Sequence, residues 1–352
     1  TFKAVRSVLN SQSMGPVQVV VVDNSGDEAE VRSLRQGLPS KVRLQVSPEN
    51  LGFARACNQA VQGYGGDAIL LINPDARLLP GCLRRLQETL FSRENRGAVS
   101  PQLYWDDGLT FHLPPSCPPV WFQFQPLLQV RGPDTWLGLW LSRLWRCYAI
   151  KVWRSQSLIS VGNLTGGLVL LKRRAVHKAG GLFDPRFFLY FEDTDLFIRI
   201  RKAGFTLAIE PRAEAVHHYD QCGMDAFQEK RAWMSASLPI FQRKHGKVWS
   251  HCIRKMVMNR VSSDQRLEAA PQTHEFTEPF TLRIPLSLQD AWLFEWSPNP
   301  DFIPAAGKWG KGESMTFHKQ YWALLAPGRY YGRLGQPTPL GTVPLEISWK
   351  VT

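Results

Sequence analysis

The stretch VQVVVVDNSGDE, residues 17–28, is a continuous β-branched run that ends in a polar turn. Such runs are typical of strands that are buried on both faces of a parallel sheet. Two further short runs, VRLQVS at 42–47 and AILLIN at 68–73, also end in polar turns and are followed by helical stretches. This alternation of strands and helices predicts an α/β fold with a doubly wound sheet.

Polar side chains follow each of the three predicted strands. Asp23 ends the first strand, Asn50 lies in the loop after the second, and Asp75 lies in the turn after the third. In open α/β sheets, ligands bind outside the carboxyl ends of the strands. We therefore expect these three side chains to converge on one binding edge.

Composition limits the classes of function. A chain of 352 residues with 44% hydrophobic content can bury a substantial core, so it is not a disordered protein. Its net charge of +12 favours an anionic partner such as a phosphorylated ligand or an acidic membrane surface. Nucleic acid is not favoured, because the basic residues are spread along the chain and no RNP, helix-turn-helix or zinc-finger pattern accompanies them.

Cysteine usage and hydropathy indicate a compartment. The six cysteines are scattered and form no CxxC pair, so we expect neither a zinc site nor a disulfide framework. No apolar run reaches the roughly 20 residues that span a bilayer, and no secretory h-region is present. These features favour the cytoplasm. The opening stretch TFKAVRSVLNSQ is typical of the middle of an amphipathic helix, so we expect further sequence upstream of it.

Three acids follow an aromatic run in FFLYFEDTDLFIRIRKAGF, residues 187–205. Glu192, Asp193 and Asp195 lie so close in sequence that they call for a partner, a metal or a reaction. Alternatively, they complement the dipole at the start of the helix that the following residues predict. The three residues by themselves do not decide between these interpretations.

Residues 104–160 interrupt the strand and helix alternation with a proline cluster and the tryptophan-rich stretch DTWLGLWLSRLWRCYAIKVWRSQ, so we interpret them as an insertion. On a helix, one face would carry seven large apolar or aromatic residues: Trp136, Leu137, Trp140, Leu141, Leu144, Trp145 and Tyr148. This face either packs in a core or lies at a membrane boundary or acceptor site, where indole beside arginine is common. Both interpretations stay open.

The polar stretch SSDQRLEAAPQTHEFTE has the composition of a linker, which we place at residues 263–275. Residues 276–352 then show short alternating runs typical of a small all-β sandwich, which loosely resembles a fibronectin type III domain. Along one predicted strand Trp292, Phe294 and Trp296 share a face, which favours a core over a sugar-stacking platform. Residues 1–262 would form the larger α/β domain.

Six stretches in order resemble the family 2 nucleotide-sugar glycosyltransferases, in particular their rhamnosyltransferase-like branch. They are VVVVDNSGD, ENLGFARACNQA, LLINPDARLLPG, GNLTGGLVLLKRRAV, GGLFDPRFFLYFEDTDLFIRIRKAGF and EAVHH, and they cover about residues 1 to 220. The resemblance implies a GT-A fold with a mixed sheet, a nucleoside-diphosphate sugar donor and inverting transfer to a hydroxyl. It also implies that the family's first strand lies upstream of this sequence.

The resemblance assigns roles to individual residues. Asp193 corresponds to the catalytic base, which an acceptor hydroxyl needs because it is otherwise a poor nucleophile. Glu192 would orient the acceptor or the loop, and Asp195 would contact substrate or cap the helix that carries Arg199 and Arg201. The remaining residues expected to bind substrate are Asp23, Asn24, Asn50, Gly52, Phe53, Asn58, Asn73, Gly166 and Gly167.

The departing diphosphate needs a cation or basic groups to offset its charge. In the family a DxD-like triplet holds the metal, and here this triplet is Asn73, Pro74 and Asp75. We expect Mg or Mn to be bound by Asp75 and His217, with His218 as an alternative ligand.

The predicted function is that of an inverting, metal-dependent hexosyltransferase that uses a UDP- or dTDP-sugar and acts on a glycan or lipid-linked acceptor in surface polysaccharide assembly. It would be cytoplasmic, with possible peripheral attachment to the inner membrane. A catalytically silent sugar-nucleotide or glycan-binding protein of the same fold is the alternative. A glycoside hydrolase is not favoured, because its two acids flank the scissile bond about 5 to 10 Å apart, whereas Glu192 and Asp193 are sequence neighbours.

Overall fold

The computed structural model describes residues 1–119, 136–219, 227–246 and 275–352. Its helices and strands, in chain order, are α1 (Phe2–Leu9), β1 (Val19–Asp23), α2 (Glu28–Gly37), β2 (Val42–Val46), α3 (Phe53–Val61), β3 (Ala68–Ile72), β4 (Ala76–Leu78), α4 (Cys82–Phe91), β5 (Arg96–Tyr104), α5 (Trp136–Trp153), β6 (Ile159–Val161), β7 (Leu168–Lys172), α6 (Arg173–Lys178), α7 (Glu192–Lys202), β8 (Thr206–His217), α8 (Phe227–His245), β9 (Glu275–Phe276), β10 (Phe280–Arg283), β11 (Trp292–Ser297), β12 (Ala306–Gly310), β13 (Ser314–Phe317), α9 (Lys319–Trp322), β14 (Gly328–Gly335) and β15 (Leu345–Val351).

The described residues form two compact units. The first contains residues 1–102, 156–215 and 227–246, and the second contains 103–119, 136–155, 216–219 and 275–352. The predicted fold class, an α/β region with a mixed sheet and a smaller all-β region, is confirmed. The unit division differs from the sequence-based domains, because residues 103–119, 136–155 and 216–219 group with the all-β region and not with the α/β region.

The sheet of the first unit is mixed. Its strands follow the order β3-β7-β5-β8-β4, and β6 pairs with β8. All five residues of β7 are buried, as expected for an apolar strand that has neighbours on both sides, and β7 runs antiparallel to both β3 and β5. The order places the end of β3 beside the start of β7, where Ile72 faces Leu168.

The three strands first predicted from the sequence are present, but they do not share one sheet. β1 and β2 pair in parallel, with Asp23 opposite Val46, and form a two-stranded sheet of their own among the described strands. β3 belongs to the larger sheet. Residues 19–22 of β1 are only partly buried, contrary to the expectation of a strand buried on both faces. An apolar run predicts a strand but does not show which strand lies beside it, so the sequence could not predict this division.

The second unit contains a five-stranded sheet in the order β12-β11-β14-β15-β9 and a two-stranded sheet of β10 and β13. Aromatic side chains from both sheets share one core, including Phe294 of β11, Phe317 of β13 and Trp349 of β15. Trp105 and Phe111, which precede α5 in the chain, belong to the same core. The face of Trp292, Phe294 and Trp296 is buried, in agreement with the core interpretation.

The apolar residues of α5 divide between two faces, contrary to the single face predicted from helical spacing. Leu141, Trp145 and Trp153 are buried, whereas Trp140 and Leu144 are exposed. The side chains of Trp136 and Leu137 lie outside the described residues. A helix that is apolar on most of its circumference can bury one side and still leave large apolar side chains in solvent.

A buried ion cluster fixes α5 to the sheet of the second unit. Nε of Arg146 donates to Oε2 of Glu295 at 2.7 Å, and Arg333 donates to both oxygens of the same carboxylate at 2.8 and 3.0 Å. Burial alone would raise the pKa of Glu295, but the two guanidinium groups hold this pKa below its usual range. The cluster explains why Arg146, which the helical pattern directs away from the apolar face, is buried.

Candidate active site

The predicted acids lie at the start of α7. Glu192, Asp193 and Asp195 form its first turn, where the dipole of a helix stabilises negative charge. The two residues before them, Tyr190 and Phe191, both have positive φ, at 70° and 67°. Aromatic residues rarely adopt this conformation, and each such residue costs roughly 1–3 kcal/mol unless its surroundings hold it. The chain therefore makes a strained turn immediately before the acids.

Asp193 is held in one orientation by main-chain donors. Its Oδ2 accepts a hydrogen bond of 3.0 Å from the amide of Gly166, and its Oδ1 accepts hydrogen bonds from the amide and hydroxyl of Thr194 at 2.6 and 3.2 Å. A Cβ atom at position 166 would lie 3.1 Å from Cβ of Asp193, so glycine permits this close approach. Asp193 is half-buried, which keeps it accessible to a substrate.

Glu192 and Asp193 are coupled acids with different surroundings. Burial, followed by the repulsion of Asp193, raises the pKa of Glu192 to about 8. Desolvation also raises the pKa of Asp193, although the hydrogen bonds from Gly166 and Thr194 oppose this effect. Oε2 of Glu192 is buried and accepts no hydrogen bond within the described part of the chain. A pKa of about 8 means that Glu192 keeps its proton at neutral pH, and the two acids titrate as a coupled pair.

Asp195 has a different environment from its two neighbours. It is fully buried, and its oxygens accept hydrogen bonds from Nε of Arg199 at 2.8 Å and from Nε2 of His245 at 2.6 Å. Nζ of Lys244 lies 2.8 Å from Oδ1. Burial by itself would raise the pKa of Asp195, but these partners lower it to about 2. The sequence placed Asp195 among the residues that contact substrate, and in the structure both of its oxygens face protein cations.

Lys244 and His245 were not among the site residues predicted from the sequence. They end α8, about 50 residues after the acids, and no motif connects the two segments. Lysine and histidine in the last turn of a helix are usually explained by the helix dipole, so their types carried no further signal.

The loops that follow β1 and β2 are joined through asparagine side chains. Nδ2 of Asn24 donates to Oδ1 of Asn50 at 2.9 Å, and Oδ1 of Asn50 also accepts from the amide of Gly52 at 3.0 Å. Gly52 has a φ of 79°, and a Cβ atom there would lie 2.5 Å from the carbonyl oxygen of Phe188. Glycine is thus required at position 52 because the loop approaches the segment that leads to the acids.

Phe53 and Asn58 place α3 against the segment of residues 183–188, which leads to the acids. The amide of Phe53 donates to the carbonyl of Phe188 at 2.8 Å. Asn58 exchanges two hydrogen bonds with the backbone of Phe183, at 2.8 and 2.9 Å. Both polar ends of the Asn58 side chain are therefore used within the protein, which makes it a structural link, whereas the sequence placed it among the substrate ligands.

Asp23 ends β1 with only one of its two carboxylate oxygens bonded. Oδ1 accepts from the amide and hydroxyl of Ser25 at 2.9 and 2.6 Å. Oδ2 is buried and has no hydrogen-bond partner among the described residues. A buried oxygen without a partner is unfavourable, so a ligand that donates a hydrogen bond here would relieve the cost.

The NPD triplet follows β3 and meets the paired glycines that precede β7. The amide of Asn73 donates to the carbonyl of Gly167 at 2.7 Å. The neighbouring Gly166 donates to Asp193. The paired glycines therefore link the NPD turn on one side to Asp193 on the other. Asp75, two residues after Asn73, is partly buried.

The two histidines after β8 have different surroundings. His217, the last residue of β8, is buried and packs against Tyr219 with ring centroids 5.7 Å apart. His218 lies 3.1 Å from a carboxylate oxygen of Asp107, which gives it a protein partner.

The expected divalent cation would need oxygen or imidazole ligands near the NPD turn. Within the described residues, no group of three or more His, Cys, Asp or Glu side chains is placed to hold a metal. Mg²⁺ and Mn²⁺ commonly use one or two protein carboxylates together with substrate phosphates. The single carboxylate of Asp75 in the NPD turn fits this second arrangement, with the remaining oxygens supplied by a diphosphate.

The chain is similar to known glycosyltransferases. Residues 3–150 match the model of Glycosyl transferase family 2. The chain is 29% identical over 252 residues to an N-acetylglucosaminyl-diphospho-decaprenol L-rhamnosyltransferase of Mycobacterium tuberculosis, covering 68% of this chain and 79% of that protein. The match to a family 2 glycosyltransferase model and the similarity to a rhamnosyltransferase confirm the predicted resemblance.

Two solved structures are also similar. A crystal structure of GalNAc-T7 with UDP, GalNAc and Mn²⁺ aligns with a TM-score of 0.43 and 15% identity over 62% of this chain and 40% of that one. A mannosyltransferase of Pyrobaculum calidifontis in complex with GDP-Man and Mn²⁺ aligns with a TM-score of 0.37 and 17% identity over 75% of this chain and 71% of that one. The family match and the mixed sheet together confirm the expected GT-A-type fold class.

Proposed function

We propose that this glycosyltransferase is an inverting enzyme that uses Asp193 as its base. The observation that carries the proposal is the orientation of Asp193 by Gly166, in a half-buried position beside the loops of Asn50 and Asn73. A base must be accessible and fixed in direction, and Asp193 meets both conditions.

The proposed transfer needs one base, because one proton leaves the acceptor hydroxyl. The acceptor hydroxyl oxygen attacks the anomeric carbon and its proton passes to a carboxylate oxygen of Asp193. The bond between the anomeric carbon and the diphosphate oxygen breaks, and the nucleoside diphosphate leaves with the electron pair. Glu192, which keeps its proton, is suited to donate a hydrogen bond to the acceptor or to the sugar.

The donor nucleotide is proposed to bind at the loops after β1 and β2. The buried Oδ2 of Asp23 can accept a hydrogen bond from a uracil or thymine N–H or from a ribose hydroxyl. The Asn24 and Asn50 pair shapes the same loops. This arrangement supports a UDP- or dTDP-sugar as the donor.

A divalent cation, Mg²⁺ or Mn²⁺, is proposed to be held by Asp75 and His217 together with the diphosphate. When bound, it would offset the charge that develops on the departing diphosphate. Asp75→Ala and His217→Ala should each weaken donor binding in the presence of Mn²⁺, and His218→Ala should leave it unchanged. Donor titration by calorimetry with and without EDTA tests this. Equal donor affinity in EDTA and in Mn²⁺ would remove the metal from the proposal.

A lipid-linked glycan is proposed as the acceptor, in the assembly of a surface polysaccharide. The support is the mycobacterial relative, whose name gives a diphospho-decaprenol acceptor. The described helices include none that is long and apolar enough to cross a bilayer. We therefore propose that the cytoplasmic protein reaches its acceptor by peripheral attachment to the inner membrane.

The proposed membrane contact is the exposed side of α5. Leu139, Trp140 and Leu144 are exposed there beside the exposed Arg143. Indole and leucine suit the headgroup boundary, and a protein of net charge +12 is attracted to anionic lipid. Sedimentation with phosphatidylglycerol vesicles should fall for Trp140→Ser with Leu144→Ser and should weaken with salt. Leu286→Ser, which changes another exposed leucine of the second unit, is the matched control.

The all-β region is proposed to position the acceptor glycan or a partner protein. The core that it shares with Trp105 and Phe111 means that deletion of the C-terminal residues alone would expose those side chains. Surface substitutions at Trp322 or Tyr331, both partly exposed, are therefore better tests of acceptor binding than truncation. A smaller effect on a short acceptor than on a long one would support this role.

The decisive experiment measures acceptor-dependent release of nucleoside diphosphate from a panel of UDP- and dTDP-sugars, with a lipid-diphosphate glycan as acceptor. The proposal expects release with the wild-type protein, and almost none with Asp193→Asn. If donors bind but neither protein gives release in the presence of acceptors, the catalytically silent sugar-nucleotide-binding protein becomes the better description.

A further inference from the structure

Helix α8 packs against the segment that leads to the acids. We call residues 184–195 the acid loop. Oγ of Ser237 on α8 donates to the carbonyl of Leu189 at 2.8 Å, and the ring of Phe241 stacks on Phe191 with centroids 5.1 Å apart. Both contacts fall next to the strained turn that precedes Glu192.

The last two residues of α8 bind the carboxylates at both ends of the acid loop. Nζ of Lys244 lies 2.8 Å from Asp184 and 2.8 Å from Asp195. Nε2 of His245 donates to Asp195 at 2.6 Å. One lysine therefore joins the first and last residues of the loop, and the neighbouring histidine holds the last one.

The loop needs this support for a conformational reason. Tyr190 and Phe191 each adopt a positive φ, which is unfavourable for residues with a Cβ atom. Such conformations persist only where the surroundings determine them. The other side of the loop is held by α3, through the hydrogen bond from Phe53 to Phe188. Without α8, the turn would be free to relax and would carry Asp193 with it.

The loop also needs the support for an electrostatic reason. Asp195 is fully buried and lies two residues after Asp193. A buried carboxylate without cations would be strongly unfavourable. Arg199, the cation on its own helix, is itself shared with the carbonyls of Ala179, Gly181 and Leu182. Lys244 and His245 supply the remaining partners of Asp195, at 2.8 and 2.6 Å.

We propose that Lys244 and His245 are positioning residues of the transfer reaction, which hold the acid loop by its two end carboxylates and thereby keep Asp193 in the orientation that accepts the acceptor proton. Among the described residues, their hydrogen bonds and ion pairs go to Asp184 and Asp195 and not to Glu192 or Asp193. This inference rests on the proposed role of Asp193 as the base. It assigns a function to two residues that the family motifs in the sequence do not include.

The test compares five variants of the full chain for steady-state transfer and for amide hydrogen exchange of the acid loop. Lys244→Ala and His245→Ala should each lower kcat by about 10- to 100-fold, because a small misplacement of a catalytic group has effects of this size. Donor KM should change by less than about twofold, since the donor loops are not altered. In both variants, amides of residues 187–195 should exchange faster than in the wild type.

Conservative variants separate positioning from a general loss of fold. Lys244→Arg keeps the cation and His245→Gln keeps a hydrogen-bond donor, so both should recover most of the wild-type kcat and protection. Arg243→Ala, which removes an exposed cation from the same helical turn, is the control and should behave as the wild type. If an alanine variant does not fold, Lys244→Gln and His245→Asn replace it with the same expectations.

Wild-type kcat in the alanine variants would overturn the inference, as would an equal loss in Arg243→Ala or a loss that the conservative variants do not recover. If the wild-type protein itself transfers no sugar, the proposed function fails, and hydrogen exchange still decides the positioning role. In that case, faster exchange in Lys244→Ala and His245→Ala supports the role, and unchanged exchange rejects it.

Discussion

The amide of Gly166 donates a hydrogen bond of 3.0 Å to Oδ2 of Asp193, although the two residues lie 27 positions apart. The donor belongs to the turn before β7 and the acceptor to the first turn of α7, so a rigid strand and a helix fix the carboxylate between them. A backbone amide cannot titrate or rotate away, and it therefore orients the base at every pH at which the protein is folded.

Gly166→Ala should lower kcat by about 10- to 100-fold without unfolding the protein. The added Cβ would lie 3.1 Å from Cβ of Asp193, so the base must shift by a few tenths of an ångström. Steady-state kinetics with thermal melting measures both effects. Gly65→Ala, where an added Cβ meets no atom within 4 Å, is the matched control. Equal kcat in the two variants would show that the base tolerates displacement.

Asp193→Asn should lower transfer by roughly two to four orders of magnitude, the range of a positioned general base, while donor affinity stays near the wild-type value. The amide has nearly the size of the carboxylate but cannot accept the proton. Product release and donor titration provide the two readouts. Asp67→Asn makes the same change at an exposed site of the same unit and should have no effect. Wild-type turnover by Asp193→Asn would exclude this residue as the base.

Glu192→Gln should stabilise the protein increasingly as the pH rises from about 5 to about 8. The pKa of Glu192 is raised from 4.5 to about 8 in the folded protein, so in this window the folded state holds a proton that the unfolded state has released. Wild-type stability therefore falls as pH rises, by up to about 1.4 kcal/mol per pH unit. Glutamine does not titrate and escapes this loss.

Melting temperatures of the wild type and of Glu192→Gln, measured in parallel from pH 5 to pH 8, check the expectation. Glu28→Gln changes an exposed glutamate and should melt in parallel with the wild type at every pH. A constant difference between Glu192→Gln and the wild type across this range would mean that Glu192 is ionised in the folded protein throughout.

The sequence predicted the strands and helices better than it predicted which of them lie side by side. The apolar runs located β1, β2 and β3, and the ordered motifs identified Asp193 and the glycine pair next to it. Such runs do not contain the order of the strands, so they could not predict that β3 pairs with β7 and not with β1. Likewise, helical spacing could not foresee that Arg146 would be buried, because its partner Glu295 lies 149 residues away.

In the candidate site, too, the sequence predicted local features better than tertiary contacts. The sequence placed Gly52 among the substrate-binding residues, and in the structure the backbone of Phe188 approaches it closely. Lys244 and His245 were missed because their contacts with Asp195 join segments about 50 residues apart. Motifs report chemistry that is local in sequence, and the supports of that chemistry depend on tertiary packing.

Arg146→Met should destabilise the second unit by about 3–5 kcal/mol, because it leaves the buried Glu295 with a single cation and removes hydrogen bonds to the carbonyls of Gln336 and Thr338. Chemical denaturation measures the loss. Arg84→Met breaks the exposed pair with Glu88 and should cost less than about 1 kcal/mol. A small effect of Arg146→Met would mean that Arg333 alone satisfies the carboxylate.

The pairing of Arg146 with Glu295 also has a consequence for synthesis on the ribosome. Glu295 lies 149 positions after Arg146, and a stretch of this length takes about 7 to 30 seconds to translate at roughly 5 to 20 residues per second. During that interval Trp145 and Trp153, whose packing partner Leu293 is not yet made, stay exposed on the nascent chain. Chaperone binding to arrested nascent chains should therefore be strongest for those that end after α5 and before β11.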